Sequence, residues 1–250
     1  MPIVCPGRYS ARFAESSEDR VAALTLRWTA FHAARGRAAK PGGDADSYDP
    51  VCRHVLIEDS RSGAVVACYR LWALPSGQSI DQSYSAQFYN LAGLRGYEHP
   101  MAEMSRFCLH PDHHDPDIFR TAWGALARFV DLRKIAMLFG CSSFLGTDIA
   151  AHRDSLGLLA QKHLAPERWR PLEKSPLVLN FARDLAGAMP DQRIARKSMP
   201  PLLRTYLTMG GWVSDHAVID HDMDTLHVFT GLEIARIPPA RARALRAIYG

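Results

Sequence analysis

Residues 101–148 read MAEMSRFCLHPDHHDPDIFRTAWGALARFVDLRKIAMLFGCSSFLGTD, and the fold follows from how this stretch is parsed. Ala102 to Leu109 has the make-up of a strand, closed by His110-Pro111-Asp112 because proline has no N–H to give to a ladder. From about Asp117, the apolar residues Ile118, Phe119, Ala122, Trp123, Leu126, Phe129 and Val130 recur at spacings of three and four, which makes one buried stripe of a helix. Ile135 to Cys141 is short, apolar and compatible with a second strand. Two strands joined through a helix run parallel, and such crossovers are right-handed. Ligands of a βαβ unit gather where its strands end or separate.

The first of these strands carries Glu103 and Arg106 among Met104, Phe107, Cys108 and Leu109. Buried charges are costly unless paired, so one reading is a structural ion pair at a strand end. Residues three apart point to opposite faces of a regular strand. For both to serve one site the strand must bulge between them, and a bulge also frees backbone N–H groups that can hold an oxyanion.

Glu103-Met104-Ser105-Arg106-Phe107-Cys108-Leu109-His110-Pro111-Asp112, followed by Leu138-Phe139-Gly140-Cys141-Ser142-Ser143-Phe144-Leu145-Gly146-Thr147-Asp148, resembles the ornithine-acyl-[acyl carrier protein] N-acyltransferases. These belong to the GNAT superfamily and are similar to the acyl-homoserine lactone synthases. The resemblance implies an α+β fold (an α/β sandwich): a mixed, centrally splayed sheet flanked by helices. It implies one acyltransferase domain over 1–250, with a GNAT-like core at about 8–150 and a C-terminal extension over 151–250. The implied reaction moves a 3-hydroxyacyl chain from acyl carrier protein to the α-amino group of L-ornithine, the first step of ornithine lipid synthesis. No separate cofactor is implied, since phosphopantetheine arrives on the carrier protein. The cleft between the parallel strands, beneath the helix, would take the acyl chain.

Composition agrees. At 250 residues, 47% hydrophobic and 22% charged, the chain can bury a sizeable core. No apolar run approaches the roughly 18 residues that span a bilayer, and the segment MPIVCPGRYSARF lacks a signal-peptide core. Cys5, Cys52, Cys68, Cys108 and Cys141 form no CxxC pair, which fits reduced thiols in a cytoplasmic protein. The net charge of +4 permits an acidic carrier protein, or peripheral contact with an anionic inner membrane, and calls for no nucleic acid.

A helix is predicted from near Ser17, with Glu18 and Asp19 at its positive end and Val21, Leu24, Trp28 and Phe31 as its apolar stripe. Arg27 lies one position off that stripe. By composition it is a surface arginine beside a core phenylalanine; the resemblance instead places Arg27 and Phe31 beside the substrate. The polar loop from Gly36 to Pro50 holds Asp44, Asp46 and Asp49 but lacks the pattern of an EF-hand. The resemblance makes Asp46 and Asp49, flanking Tyr48, receivers of the substrate ammonium or anchors for Arg27 and Arg106. A hairpin follows: His54 to Glu58, a turn at Ser60-Arg61-Ser62-Gly63, then Ala64 to Trp72, with Val55, Ile57, Val65, Ala67 and Tyr69 alternating. Arg70, a strand-end cation, joins the substrate-binding set by resemblance, as does Ser143. Within the long connection from Pro75 to Pro100, Ser83 to Leu94 is expected to be ordered and to line the acyl tunnel.

His110, Asp112, His113, His114 and Asp115 have metal-ligand chemistry, but adjacent histidines in a proline-rich loop rarely converge on one ion, and no metal is expected. CoA-dependent GNAT enzymes carry a glycine-rich turn here to cradle pyrophosphate. This segment has no glycine before Gly124, which fits a carrier-bound donor. Downstream, a short helix is expected over Asp154 to Ala160, another from Pro200 to Leu207, and a strand from Thr225 to Thr230. Lys162, Arg168 and Arg170, then Arg193, Arg196 and Lys197, form basic stretches that read as solvated faces or as a carrier-protein dock. The tail ARIPPARARALRAIYG is basic and mildly amphipathic, with Pro238-Pro239 against a long helix.

In this reading Glu103 is the general base, taking a proton from the substrate ammonium. Cys108 and Cys141 are core residues, no histidine being placed to activate them. The rivals are an acyl-homoserine lactone synthase, an N-acyltransferase for another amino acid, and a noncatalytic module that binds acyl carrier protein.

Overall fold

The structure, a computed structural model, describes residues 3, 7–38 and 42–249. Cys5 of the thiol set lies outside them, as do Ala39, Lys40 and Pro41 of the polar loop. In chain order the elements are β1 (Tyr9–Phe13), α1 (Ser17–Phe31), β2 (Arg53–Asp59), β3 (Val65–Leu74), β4 (Tyr89–Asn90), β5 (Met101–Leu109), α2 (Pro116–Arg133), β6 (Met137–Leu145), α3 (Ile149–Lys162), β7 (Leu172–Glu173), β8 (Val178–Leu179), α4 (Phe181–Asp184), α5 (Gln192–Ser198), α6 (Pro201–Thr208), β9 (Trp212–Asp220), β10 (Thr225–Glu233) and α7 (Pro239–Arg246). Eight strands hydrogen-bond in the order β1-β2-β3-β5-β6-β10-β9-β8. This is the mixed sheet expected. Its parallel pair, β5 with β6, runs from Met101–Met137 to Glu103–Phe139.

The chain forms two compact units of interleaved segments. The first unit comprises Met1–Trp72, Met104–Ile135 and Pro239–Gly250. Here β1, β2 and β3 pair antiparallel, with His54 opposite Arg70. Residues 54–57 and 66–71 are buried on both faces, so the alternation expected of the hairpin is absent. Helix α1 starts where predicted, with a capping box between Ser16 and Asp19. Its buried face is not the predicted one. Ala23, Leu26 and Arg27 turn inward, while Val21 is 62% exposed. The predicted stripe ranked residues by apolarity, whereas the helix is rotated by Arg27, whose ion pairs outweigh one valine's burial. Helix α2 buries Ile118, Ala122, Trp123, Leu126, Phe129 and Val130, as its spacing requires. Asp115 caps its start, and α7 is tied to it by Arg246 on Asp131.

The second unit comprises Ala73–Glu103 and Ala136–Pro238. β6, β10 and β9 form an antiparallel block, and β8 adds to β9. One side is packed by Leu156, Leu158 and Leu159 of α3 and by Phe181, Ala195 and Leu203 against Phe144, Val213, Leu226 and Val228. α3 spans Ile149–Lys162, longer than the helix predicted there. The long connection is ordered as short 3-10 turns at Gly77–Gln82, Ser85–Gln87 and Ala92–Gly96. Gly77 closes it on itself: its N–H donates to Tyr97 O at 2.7 Å, and an added Cβ would lie 1.8 Å from Leu94 O. Only glycine permits so close an approach. Among the described residues no helix is long and apolar enough to cross a membrane.

Candidate active site

The first unit buries an ion network that the polar loop supplies and the strands receive. Arg27 Nε donates to Asp44 Oδ2 at 2.8 Å, Nη1 to Asp49 Oδ1 at 2.5 Å and Nη2 to the Asp44 carbonyl at 2.5 Å. Arg70 binds Asp46 bidentately, Nη1 to Oδ1 at 2.6 Å and Nη2 to Oδ2 at 2.9 Å. It also reaches Asp49 Oδ1 at 2.8 Å and Ser105 Oγ at 2.8 Å. Arg106 closes the set, Nε 3.1 Å from Asp44 Oδ2 and Nη2 3.3 Å from Asp46 Oδ2. His32 lies 2.9 Å from Asp44, and His54 3.5 Å from Asp49. Three guanidiniums thus face three carboxylates, and such a set is tolerable inside a protein because each charge is paired.

Burial divides its members. Arg27 and Arg70 are closed off. The Asp46 side chain is 22% exposed and that of Arg106 14%, so one carboxylate and one guanidinium form the accessible edge. Arg106 sits in the left-handed region at φ 54°, a local irregularity within β5. A non-glycine residue held there stores backbone strain, of the kind found at functional sites.

Glu103 is the last β5 residue registered with β6. Its carboxylate is buried and accepts from Tyr84 N at 2.8 Å, Ser85 N at 2.7 Å and Ser85 Oγ at 2.6 Å. Cys141 Sγ lies 3.5 Å from Ser85 Oγ. Glu103 therefore fastens the turn at 84–85, whatever else it does.

Of the residues singled out on sequence grounds, Arg27, Asp46, Asp49, Arg70 and Arg106 meet in one network. Phe31 is half-buried against the Ala23, Leu26, Leu56, Cys68 and Cys108 cluster. Ser143 is exposed on β6, opposite His227 of β10. Cys68 and Cys108 are packed thiols 3.5 Å apart. Sequence reasoning named Asp44 only as a loop acid and missed His32, His54, Ser85 and Ser105. Asp44 shares its loop with Asp46 and Asp49 and could have been grouped with them; the serines and histidines carried no local signal.

The titratable groups give the protein an acid-sensitive fold. Burial works to raise the Asp46 carboxyl, but the Arg70 guanidinium outweighs it and the net shift is downward. Asp49 is likewise lowered: burial opposes, and the Asp46 N–H and Arg27 prevail. Burial, aided by His216, lowers His227 of the second unit to about 3. All three folded-state values lie below the unfolded ones. Their stabilisation is present above the unfolded values, near 6.5 for histidine and about 4 for aspartate, and is lost as pH falls towards the folded ones. The melting temperature should therefore drop steadily from neutral pH downwards. His227→Gln should flatten the part of that decline between about pH 6.5 and 4. An unchanged slope in the variant would exclude His227 as its source.

A family model described as Acetyltransferase (GNAT) domain matches residues 26–124, which hold Arg27, Asp46, Asp49, Arg70, Glu103 and Arg106. Among solved structures, a CoA-dependent acyl-homoserine lactone synthase with SAM and isopentyl-CoA is similar in fold. Its TM-score is 0.50 at 15% identity, covering 92% of this chain and 82% of that one. Sheet order, crossover helix and family match together define a GNAT-type acyltransferase. The L-ornithine N(alpha)-acyltransferase of Rhodobacter capsulatus is 33% identical over 89% of each chain, and that of Brucella abortus 29% identical over 92% of this chain and 86% of its own. The chain belongs to this L-ornithine N(alpha)-acyltransferase family.

Proposed function

We propose that the chain transfers a 3-hydroxyacyl group from an acyl carrier protein thioester to the α-amino group of L-ornithine, giving lyso-ornithine lipid. The observation that carries this reading is the half-open edge of the ion network. An amino acid with a second amine brings a carboxylate and an ammonium. Arg106 suits the first and Asp46 the second, each already fixed by buried partners. Arg27, Arg70 and Asp49 hold that edge from behind.

The α-amine arrives protonated and must lose its proton to attack. Glu103, directly or through one water, is the acceptor in this reading. The amine then forms the amide bond with the thioester carbonyl. Backbone N–H groups beside the irregularity at Arg106 hold the oxyanion in this reading, and the proton passes to the departing phosphopantetheine thiolate as the C–S bond breaks. No acyl-enzyme is required. A carrier-bound donor is supported by the start of α2, where the Asp115 carboxylate occupies the helix N-terminus by accepting from Asp117 N at 2.9 Å. Asp115 is held below the usual carboxylate range by that N–H, then by the Tyr9 hydroxyl. A fixed anion there repels a pyrophosphate.

Purified protein with a 3-hydroxyacyl carrier protein should acylate ornithine in preference to glycine, lysine or S-adenosylmethionine. A lactone formed from S-adenosylmethionine would overturn the reading. Asp46→Asn and Arg106→Gln should each raise the KM for ornithine about tenfold or more, since each removes one charge-assisted contact. A KM unchanged in both would exclude this edge as the amino-acid site.

A further inference from the structure

Between α4 and α5 the chain runs Leu185-Ala186-Gly187-Ala188-Met189-Pro190, a stretch with no charge. Both flanks of Met189 are pinned to α3. Gln161 Nε2 donates to the Ala188 carbonyl at 2.8 Å, the Asp191 N–H donates to Asp154 Oδ1 at 2.9 Å, and Pro190 lies against Gly157. With its neighbours drawn inward, Met189 projects outward and is 93% exposed. Ile194, on the first turn of α5, is 52% exposed. The same helix carries Arg193, Arg196 and Lys197, all exposed, and beside it is Arg204, whose Nη1 donates to the Arg196 carbonyl at 3.4 Å. The nearby acids are engaged: Asp191 caps α5 through Arg193 N and Ile194 N, and Asp184 pairs with Arg183 at 2.8 Å.

A single exposed apolar side chain is ordinary on a protein surface. A rigidly presented apolar tip within a group of cations is a different chemistry. It fits a surface that is anionic at its face and hydrocarbon just beneath. We propose that this face docks on an anionic lipid bilayer. Met189 and Ile194 enter the boundary between headgroups and acyl chains, while Arg193, Arg196, Lys197 and Arg204 rest on lipid phosphates. An acidic protein would answer the cations but would leave Met189 in water unless it offered a matching pocket. The C-terminal helix, also basic, is less suited: Arg246 is spent on Asp131, and none of its described large apolar side chains is exposed.

The test is co-sedimentation of the full chain, at physiological salt, with vesicles of phosphatidylcholine alone or of phosphatidylcholine and phosphatidylglycerol in equal parts. The chain should sediment with the mixed vesicles and stay in solution with the neutral ones. Met189→Ser alone should weaken binding several-fold, and Arg193→Glu with Arg196→Glu and Lys197→Glu should weaken it more than about tenfold. Circular dichroism confirms that each variant is folded; Met189, so exposed, contributes little to the fold. The proposal falls if the wild-type chain ignores mixed vesicles, or if binding survives both variants. It also falls if the charge variant loses affinity for acyl carrier protein while vesicle binding is unaltered. Vesicle binding is measured without substrate, so its failure would leave the acyl-transfer reading standing.

Discussion

Glu103→Gln is expected to lower the turnover number for acyl transfer by about 10²–10⁴-fold, the usual loss when a positioned base is removed. The variant should remain folded, because glutamine keeps one carbonyl acceptor for the Ser85 N–H and hydroxyl. Its amide nitrogen then faces the Tyr84 N–H, which loses its acceptor. A lost buried hydrogen bond costs about 1–3 kcal/mol, and a chain of this size melts about 2–4 °C lower for each kcal/mol. Rate and stability therefore separate. If Glu103 only fastens the turn at 84–85, the same few degrees should be lost while turnover stays within a few-fold of wild type.

Arg70→Met is expected to give the largest loss of stability. It removes the cation that binds Asp46 bidentately and also reaches Asp49, leaving Asp46 to Arg106 alone and Asp49 to Arg27, with three carboxylates facing two guanidiniums. Removing one partner from a buried ion pair costs roughly 3–5 kcal/mol, which corresponds here to a melting temperature lower by about 10 °C. Arg70→Lys should rescue little, since an ammonium cannot bind both carboxylate oxygens and Ser105 at once. Asp46→Asn combined with Arg70→Met should recover part of the loss, because it removes the excess negative charge and leaves two carboxylates facing two guanidiniums. A double variant whose losses simply add would show that Arg70 and Asp46 are not coupled.

The parts of the fold that depend on chain-local pattern were legible in the sequence. The spacing of apolar residues in α2, the acids Glu18 and Asp19 at the start of α1, and the interruption at His110-Pro111 each placed an element to within a few residues. The irregularity in β5 was legible for a different reason: two charges three apart in an apolar strand call for a departure from regular geometry, and Arg106 is where the backbone departs. The orientation of α1 was not legible. Its most apolar face is not its buried face, because the Asp44 and Asp49 carboxylates, from a loop many residues away, draw Arg27 inward. The hold of Ser85 on Glu103 was hidden for the same reason, since no local pattern announces a hydrogen bond between distant segments.

The central claim is that one acyl chain is moved onto the α-nitrogen of ornithine with Glu103 as proton acceptor. The most direct measurement is tandem mass spectrometry of lipids from a host fed isotopically labelled ornithine and expressing either the wild-type chain or Glu103→Gln. The expected result is a labelled 3-hydroxyacyl ornithine, acylated on the α-nitrogen, that is present with the wild-type chain and absent or nearly so with the variant at equal protein levels. Labelled lipid at equal abundance in both hosts, or in neither, would contradict it.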